Sequence, residues 1–173
     1  MRLFIAIDFN SEQLNMARDG LDISGIKTAN SFHLTLKFLG LVDDNKVEDV
    51  NERLRKITFS SFRCRLTSFG GFPNLNSPKI IWVGLSNEKK FINIKKEIEN
   101  KLGEFEEDIN FTPHITLARI KSACDKDYLR IKIGELRKIK FYQEFFVEEF
   151  ILYKSELKRD GPIYTAVEKF KLN

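Results

Sequence analysis

Cysteine, long apolar runs and glycine-rich phosphate loops are scarce or absent in this chain of 173 residues. Its two cysteines, Cys64 and Cys124, lie far apart and form no metal-type pair, which fits a reducing cytoplasm better than a secreted, disulfide-linked protein. No apolar run approaches the roughly 20 residues that a membrane helix needs. No Gly-x-Gly-x-x-Gly or Walker-type loop follows a predicted strand, which argues against a doubly wound nucleotide-binding fold. We therefore expect a cytoplasmic protein without membrane association.

The chain carries a small excess of positive charge. Lysine and arginine number 29 against 25 acidic residues, which gives a net charge of +4 and a sequence pI near 9.0. This balance favours anionic partners but offers no basic tail or dense basic stripe for the capture of a long duplex. Hydrophobic residues make up 42% of the chain and include 16 Phe, so a sizeable core is expected. A local site for one phosphate and its neighbours fits this composition.

The hydrophobic pattern predicts strands that alternate with helices. Apolar residues at every third or fourth position indicate helices, whereas short apolar runs bounded by Gly or Pro indicate strands. The predicted strands cover residues 2–9, 32–39, 62–69, 79–85, 113–119, 145–153 and 163–170. The predicted helices cover residues 11–22 (with Ser11 as N-cap), 44–57, the segment marked by Phe91, Ile94, Ile98 and Leu102, and 125–138, and residues 70–74 form a predicted turn.

The same order of elements occurs twice along the chain. A strand, a helix, a strand carrying a histidine, a helix and another strand follow one another in each half, and His33 and His114 lie 81 residues apart. This order predicts an internal pseudo-repeat of about residues 1–76 and 77–173 within a single domain of residues 1–173. Two αβ lobes packed side by side would bring the equivalent strands together.

The only two histidines lie in the same tetrapeptide frame, His-x-Thr-x. The two motifs are His33-Leu34-Thr35-Leu36 and His114-Ile115-Thr116-Leu117. Because residues i and i+2 of a strand point to the same face, each motif presents an imidazole beside a hydroxyl and buries its aliphatic residues. If the two strands face each other, one imidazole can activate water, the other can protonate a leaving oxygen, and the hydroxyls can hold phosphate oxygens.

Two other interpretations compete with this one. A single strand histidine is more often structural, but the repetition of His-x-Thr on matching strands favours catalysis. A zinc site needs three or four ligands, and neither motif has a Cys or carboxylate two residues away. We therefore expect no metal.

The residues resemble the two-histidine (2H) phosphoesterase superfamily, and specifically the RNA 2′,3′-cyclic phosphodiesterases, also called 2′-5′ RNA ligase-like proteins. The resemblance is carried by residues 2–7, 33–40, 80–84 and 111–119, and by Leu152-Tyr153-Lys154-Ser155 with Gly161-Pro162-Ile163-Tyr164. It implies an α+β, bilobal, pseudo-two-fold fold in which two mainly antiparallel sheets flank a central cleft and helices lie outside.

The resemblance also implies a role for each motif residue. His33 would be the proton donor to the leaving ribose oxygen, His114 the proton acceptor from water, and Thr35 and Thr116 the holders of the phosphate. The product would be an RNA 2′-phosphomonoester, made without metal or nucleotide cofactor. The expected partner is RNA with a 2′,3′-cyclic phosphate end, including tRNA fragments, and the expected state is a monomer. The alternatives are 2′-5′ RNA ligation, a 2′-5′ oligonucleotide phosphodiesterase, and a non-catalytic RNA- or nucleotide-binding protein.

Neighbouring residues are further candidates for substrate binding. Lys37 shares strand parity with His33, so it either adds positive charge near the phosphate or is a solvated lysine at a strand end. Arg119 follows the second motif, where the family keeps an arginine, although strict alternation places it on the opposite face unless the strand has a bulge or ends there. Trp82, Phe72 and Tyr164 are candidates for stacking on a base, with core packing favoured for Trp82.

Overall fold

The described residues form nine strands and four α-helices. A computed structural model describes residues 1–103, 105, 110–121, 123–159 and 161–173. The strands are β1 (Arg2–Asp8), β2 (Ile26–Thr28), β3 (His33–Leu41), β4 (Phe62–Phe72), β5 (Ile80–Leu85), β6 (His114–Ile120), β7 (Glu144–Val147), β8 (Glu149–Lys158) and β9 (Gly161–Lys171). The helices are α1 (Glu12–Asp19), α2 (Val47–Arg55), preceded by a 3₁₀ turn at Asp44–Lys46, α3 (Glu88–Lys101) and α4 (Lys126–Leu136).

The strands form two antiparallel sheets. The first has the order β3-β1-β8-β9 and the second has the order β2-β6-β5-β4-β7. This confirms the predicted α+β fold with two antiparallel sheets. Each sheet takes strands from both halves of the chain, so neither sheet corresponds to one half of the sequence. The internal repeat of residues 1–76 and 77–173 stays a prediction.

Helices and sheets share an apolar core. Leu3, Ile5 and Ile7 are buried on one face of β1. The residues that the helical spacing indicated on α3, Phe91, Ile94 and Ile98, are buried in the same core. Helix α1 begins where predicted, because the Ser11 hydroxyl accepts a hydrogen bond from the Leu14 amide at 3.2 Å. No helix of the described residues is long and apolar enough to cross a membrane.

Three strand predictions differ from the structure. Strand β2 was not expected. The strand predicted at 145–153 is two strands in different sheets, β7 and β8, because the chain crosses from the second sheet to the first at Glu148. The predicted turn at residues 70–74 is partly wrong, because Gly70, Gly71 and Phe72 continue β4 and pair with Trp82, Ile81 and Ile80.

Both His-x-Thr strands contain a bulge at the same place in the motif. In β3, Thr35 pairs with Ala6 but Lys37 pairs with Ile5, so Leu36 is an extra residue. In β6, Thr116 pairs with Trp82 but Ala118 pairs with Ile81, so Leu117 is the extra residue there. A bulge of this kind breaks the alternation of side chains between the two faces of a sheet.

Gly70 provides the space in which the indole of Trp82 lies. A Cβ atom at Gly70 would overlap the six-membered part of that ring, which lies directly over the β4 backbone. The absence of a side chain, rather than a turn conformation, therefore explains this glycine.

We expect Gly70→Ala to displace Trp82 and to destabilise the protein by about 1–3 kcal/mol, because an added methyl group must push a packed ring aside. Trp82 is the only tryptophan, so its fluorescence reports the displacement directly. The control is Gly134→Ala in α4, where a Cβ meets nothing within 4 Å. The control should leave the emission spectrum unchanged. Equal spectra and melting temperatures for both variants would contradict this packing.

Candidate active site between the two sheets

The first motif faces the cleft from β3. His33 pairs with Asp8 and Thr35 pairs with Ala6 on the neighbouring β1. Directly paired residues of an antiparallel sheet lie on the same face, so all four side chains share the face opposite the Leu3–Ile7 core face. His33 and Thr35 are both half-buried, whereas Leu34 between them is fully buried. The structure thus places this imidazole and hydroxyl side by side, as alternation predicted.

The second motif faces the same cleft from β6. His114 pairs with Gly84 and Thr116 pairs with Trp82 on β5, and both motif residues are half-buried. Strands β3 and β6 contact each other, although they belong to different sheets. The electrostatic influence of His114 on His33 also places the two imidazoles near one another. The two imidazoles and two hydroxyls therefore line one cleft.

Lys37 does not line this cleft. The bulge at Leu36 turns it to the core face, where it pairs with Ile5 and is 3% exposed. Its Nζ lies 3.7 Å from a carboxylate oxygen of Glu99 on α3 and 3.5 Å from the carbonyl oxygen of Phe105. The parity argument for Lys37 as a phosphate ligand is therefore wrong, because it assumed unbroken alternation along β3.

Arg119 benefits from the equivalent bulge at Leu117. Ala118 turns to the core with Ile81, and Arg119 returns to the cleft face, where it pairs with Ile80. Burial lowers the pKa of His33 and raises that of Tyr164, and the nearby positive charge of Arg119 acts to lower both, as expected of a guanidinium among the cleft residues. The bulge that the sequence argument required for Arg119 is present.

Aromatic rings surround both imidazoles. His114 contacts Phe72 edge-on, with ring centroids 5.0 Å apart, and Trp82 at 5.8 Å. His33 contacts Phe4 at 5.6 Å and meets Tyr164 edge-on at 5.3 Å. The predicted stacking candidates therefore line the site, and Trp82 is a half-buried wall of the cleft rather than a residue of the main core.

Hydrogen bonding distinguishes the two histidines. Nδ1 of His114 lies 2.7 Å from the carbonyl oxygen of Thr112. Because a carbonyl only accepts, this nitrogen carries a proton and donates it. In the neutral imidazole Nε2 is then the unprotonated nitrogen, which is the form of a general base.

Electrostatics act on His33 in both directions. Burial lowers the pKa of His33 below its usual value, and the positive charges of His114 and Arg119 lower it further. The Asp8 carboxylate opposes them and raises this pKa. Asp8 itself accepts a hydrogen bond of 2.5 Å from the hydroxyl of Tyr153 on β8. A negative group that favours the protonated imidazole thus lies beside the histidine expected to donate a proton.

Sequence reasoning missed three residues of this cleft. Asp8 lies within the strand predicted at residues 2–9 and was given no role, although its position at the end of β1 opposite a His-x-Thr strand could have indicated one. Tyr153 was part of the family resemblance and had no assigned role. Lys27 belongs to β2, which the pattern did not predict, and it pairs with Arg119 on the cleft face.

The arrangement offers two proton-transfer groups, two hydroxyls and a guanidinium in one cleft. In-line displacement at phosphorus uses groups of these kinds: a base for the attacking water, an acid for the leaving oxygen, and donors for the non-bridging oxygens. Among the residues that the structure describes, no three His, Cys, Asp or Glu side chains are grouped as metal ligands would be.

Comparison with known proteins places the chain among related sequences and structures. The family model described as the 2′-5′ RNA ligase superfamily matches residues 28–159. Two relatives are named RNA 2′,3′-cyclic phosphodiesterase. The first, from Methanocaldococcus jannaschii, is 32% identical, and the alignment covers 98% of this chain and 100% of that protein. The second, from Thermotoga maritima, is 35% identical, and the alignment covers 96% of this chain and 93% of that protein.

Solved structures agree with this relationship. A crystal structure of a Thermus thermophilus protein superposes with a TM-score of 0.81 at 29% identity, covering 99% of this chain and 97% of that one. The match extends over both sheets and therefore over both His-x-Thr strands. The chain belongs to the 2′-5′ RNA ligase superfamily of two-histidine phosphoesterases.

Proposed function

We propose that this protein is an enzyme that hydrolyses the 2′,3′-cyclic phosphate at an RNA end and leaves a 2′-phosphomonoester. The observation that carries the proposal is the meeting of His33-Thr35 and His114-Thr116 across one cleft, with Arg119 turned into it by a bulge. The names of the relatives from M. jannaschii and T. maritima support the choice of substrate.

The two histidines have different roles in this reaction. Nε2 of His114 takes a proton from water as the water oxygen bonds to phosphorus, and the hydrogen bond from Nδ1 to Thr112 holds the ring in the tautomer required. The bond from phosphorus to O3′ breaks, and His33 gives its proton to O3′. The Asp8 carboxylate favours the charged imidazole that this step needs.

The hydroxyls and the guanidinium stabilise the charge on the phosphate. Thr35 and Thr116 donate hydrogen bonds to the non-bridging oxygens, whose charge changes as the five-coordinate phosphorus forms. Arg119 adds a permanent positive charge on the same face, and its planar fork suits two oxygens at once. No step in this sequence requires a metal ion or a nucleotide cofactor.

The setting of the reaction also remains a proposal. Both cysteines are free and buried, which suits a reducing compartment such as the cytoplasm. Action as a monomer on fragments such as those of tRNA stays a prediction.

Product analysis tests the proposed reaction. A short RNA with a 2′,3′-cyclic phosphate end is incubated with the protein in the presence of a chelator, and the product is separated from 2′- and 3′-phosphate standards. We expect the 2′-phosphate alone. A joined 2′-5′ product would favour ligation, cleavage of a 2′-5′ linked oligonucleotide would favour the related phosphodiesterase, and unchanged RNA after binding would favour a non-catalytic protein.

We expect His33→Ala and His114→Ala each to lower kcat by about 10²- to 10⁴-fold, because each removes one proton transfer. The double variant should be little slower than either single variant, since the two groups act in one step. Rates of the three variants, with circular dichroism to verify the fold, provide the measurement. Near-normal turnover of either single variant would rule out the two-histidine mechanism.

We expect Asp8→Asn to lower the pKa of His33, because it removes the negative charge that favours the protonated ring. His33 must be charged to act, so the loss of kcat/KM at alkaline pH should begin at a lower pH than in the wild type. NMR titration measures the pKa directly, since the chain has two histidines and His114→Ala assigns their signals. Tyr153→Phe is the control, because it removes the hydrogen bond but keeps the carboxylate. An unchanged His33 titration in Asp8→Asn would contradict this role.

A further inference from the structure

Lys27 and Arg119 place two positive charges directly opposite each other. They are cross-strand partners between β2 and β6, so their side chains share the cleft face, although the two residues are distant in sequence. Like charges directly opposite each other on neighbouring strands destabilise a sheet. Among the described residues, neither side chain forms an ion pair with an acidic group that would offset this repulsion.

The ammonium group of Lys27 reaches across the end of the cleft. A Cβ atom at Gly161, the first residue of β9 in the other sheet, would lie 2.8 Å from Nζ of Lys27. Gly161 has a φ of 131°, so the backbone there adopts a conformation that leaves this space to the lysine. Lys27 is half-buried, and its charged end therefore lies between the two sheets rather than in open solvent.

Strand β9 contacts both Lys27 and a residue of the reaction site. Three residues beyond Gly161 on β9, Tyr164 contacts His33 and lies near enough to Arg119 for its pKa to respond. At about 3.3 Å per strand residue, Gly161 and Tyr164 are about 10 Å apart. The charged end of Lys27, at Gly161, therefore lies along β9 from the ring that contacts His33, where it can meet the nucleotide chain attached to the phosphate that Arg119 holds.

We propose that Lys27 binds an internal phosphodiester of the RNA, upstream of the cyclic phosphate that Arg119, Thr35 and Thr116 hold. This inference rests on the proposed function and specifies its substrate as an oligonucleotide rather than a cyclic mononucleotide. An ammonium group can bind one phosphodiester anion whatever the base sequence of the RNA, because it is a compact point charge without the directional fork of arginine.

Binding of the reaction product separates this role from catalysis. The affinity of a fluorescein-labelled RNA tetranucleotide with a 2′-phosphate is measured by anisotropy at several salt concentrations, and an unlabelled nucleoside 2′-phosphate is used as competitor. The variants are Lys27→Gln, Lys27→Arg and Lys96→Gln. Lys96 is an exposed lysine of α3, so its variant has the same change in net charge outside the cleft.

We expect Lys27→Gln to weaken tetranucleotide binding about fivefold to tenfold and to reduce the slope of log affinity against log salt by about 0.7. The mononucleotide should lose less affinity than the tetranucleotide. Lys27→Arg should retain most of the affinity, and Lys96→Gln should match the wild type.

Two results would overturn the inference. Equal losses for tetranucleotide and mononucleotide would place Lys27 at the terminal phosphate, and equal behaviour of Lys27→Gln and Lys96→Gln would remove it from the site. Because these measurements need no turnover, they are independent of the product analysis. A wild type that binds the tetranucleotide through Lys27 but leaves cyclic phosphate ends intact would reject the proposed function and support the Lys27 contact.

Discussion

One extra residue after each His-x-Thr triplet determines which side chains face the cleft. With Leu36 and Leu117 accommodated as bulges, two consecutive residues on each strand face the core before the alternation resumes. The bulge in β6 brings Arg119 to the cleft face, whereas the bulge in β3 turns Lys37 to the core. Of the two motif strands, β6 therefore presents a basic residue to the cleft just after its motif and β3 does not, and this asymmetry arises from the residues that follow two otherwise matching motifs.

A second asymmetry concerns the two imidazoles. Nδ1 of His114 donates a hydrogen bond to a main-chain carbonyl, and this bond fixes the tautomer of the ring. His33 instead has a carboxylate as its cross-strand neighbour, and that carboxylate is held by a tyrosine from a third strand. A carbonyl dipole suits a ring that begins the reaction neutral, and a carboxylate suits one that begins it charged. These local contacts differ in the way that the proposed roles of the two histidines require.

Much of this arrangement could be predicted from the sequence, because short-range patterns determine it. Strand parity identified the His-x-Thr pairs, and helical spacing identified the apolar face of α3. The failures have a common cause in features that depend on distant residues. A bulge is visible only in the pairing of two strands, so Lys37 was assigned to the wrong face of β3. Gly70 suggested a turn because the Trp82 ring that covers it is twelve residues away in the sequence. The strand β2, which carries Lys27, has three residues and is too short to show a hydrophobic period.

The exchange of strands between the two halves of the chain affects when the cleft can form during synthesis. All strands of the second sheet have been made once β7 has been synthesised, but the first sheet also requires β8 and β9, which come later in the chain. Until then, β1 lacks its second neighbour, and Asp8 lacks the tyrosine that holds it. A chain cut before β8 would therefore still contain His33 and His114, but it would lack the strand that pairs with β1 and the tyrosine that holds Asp8.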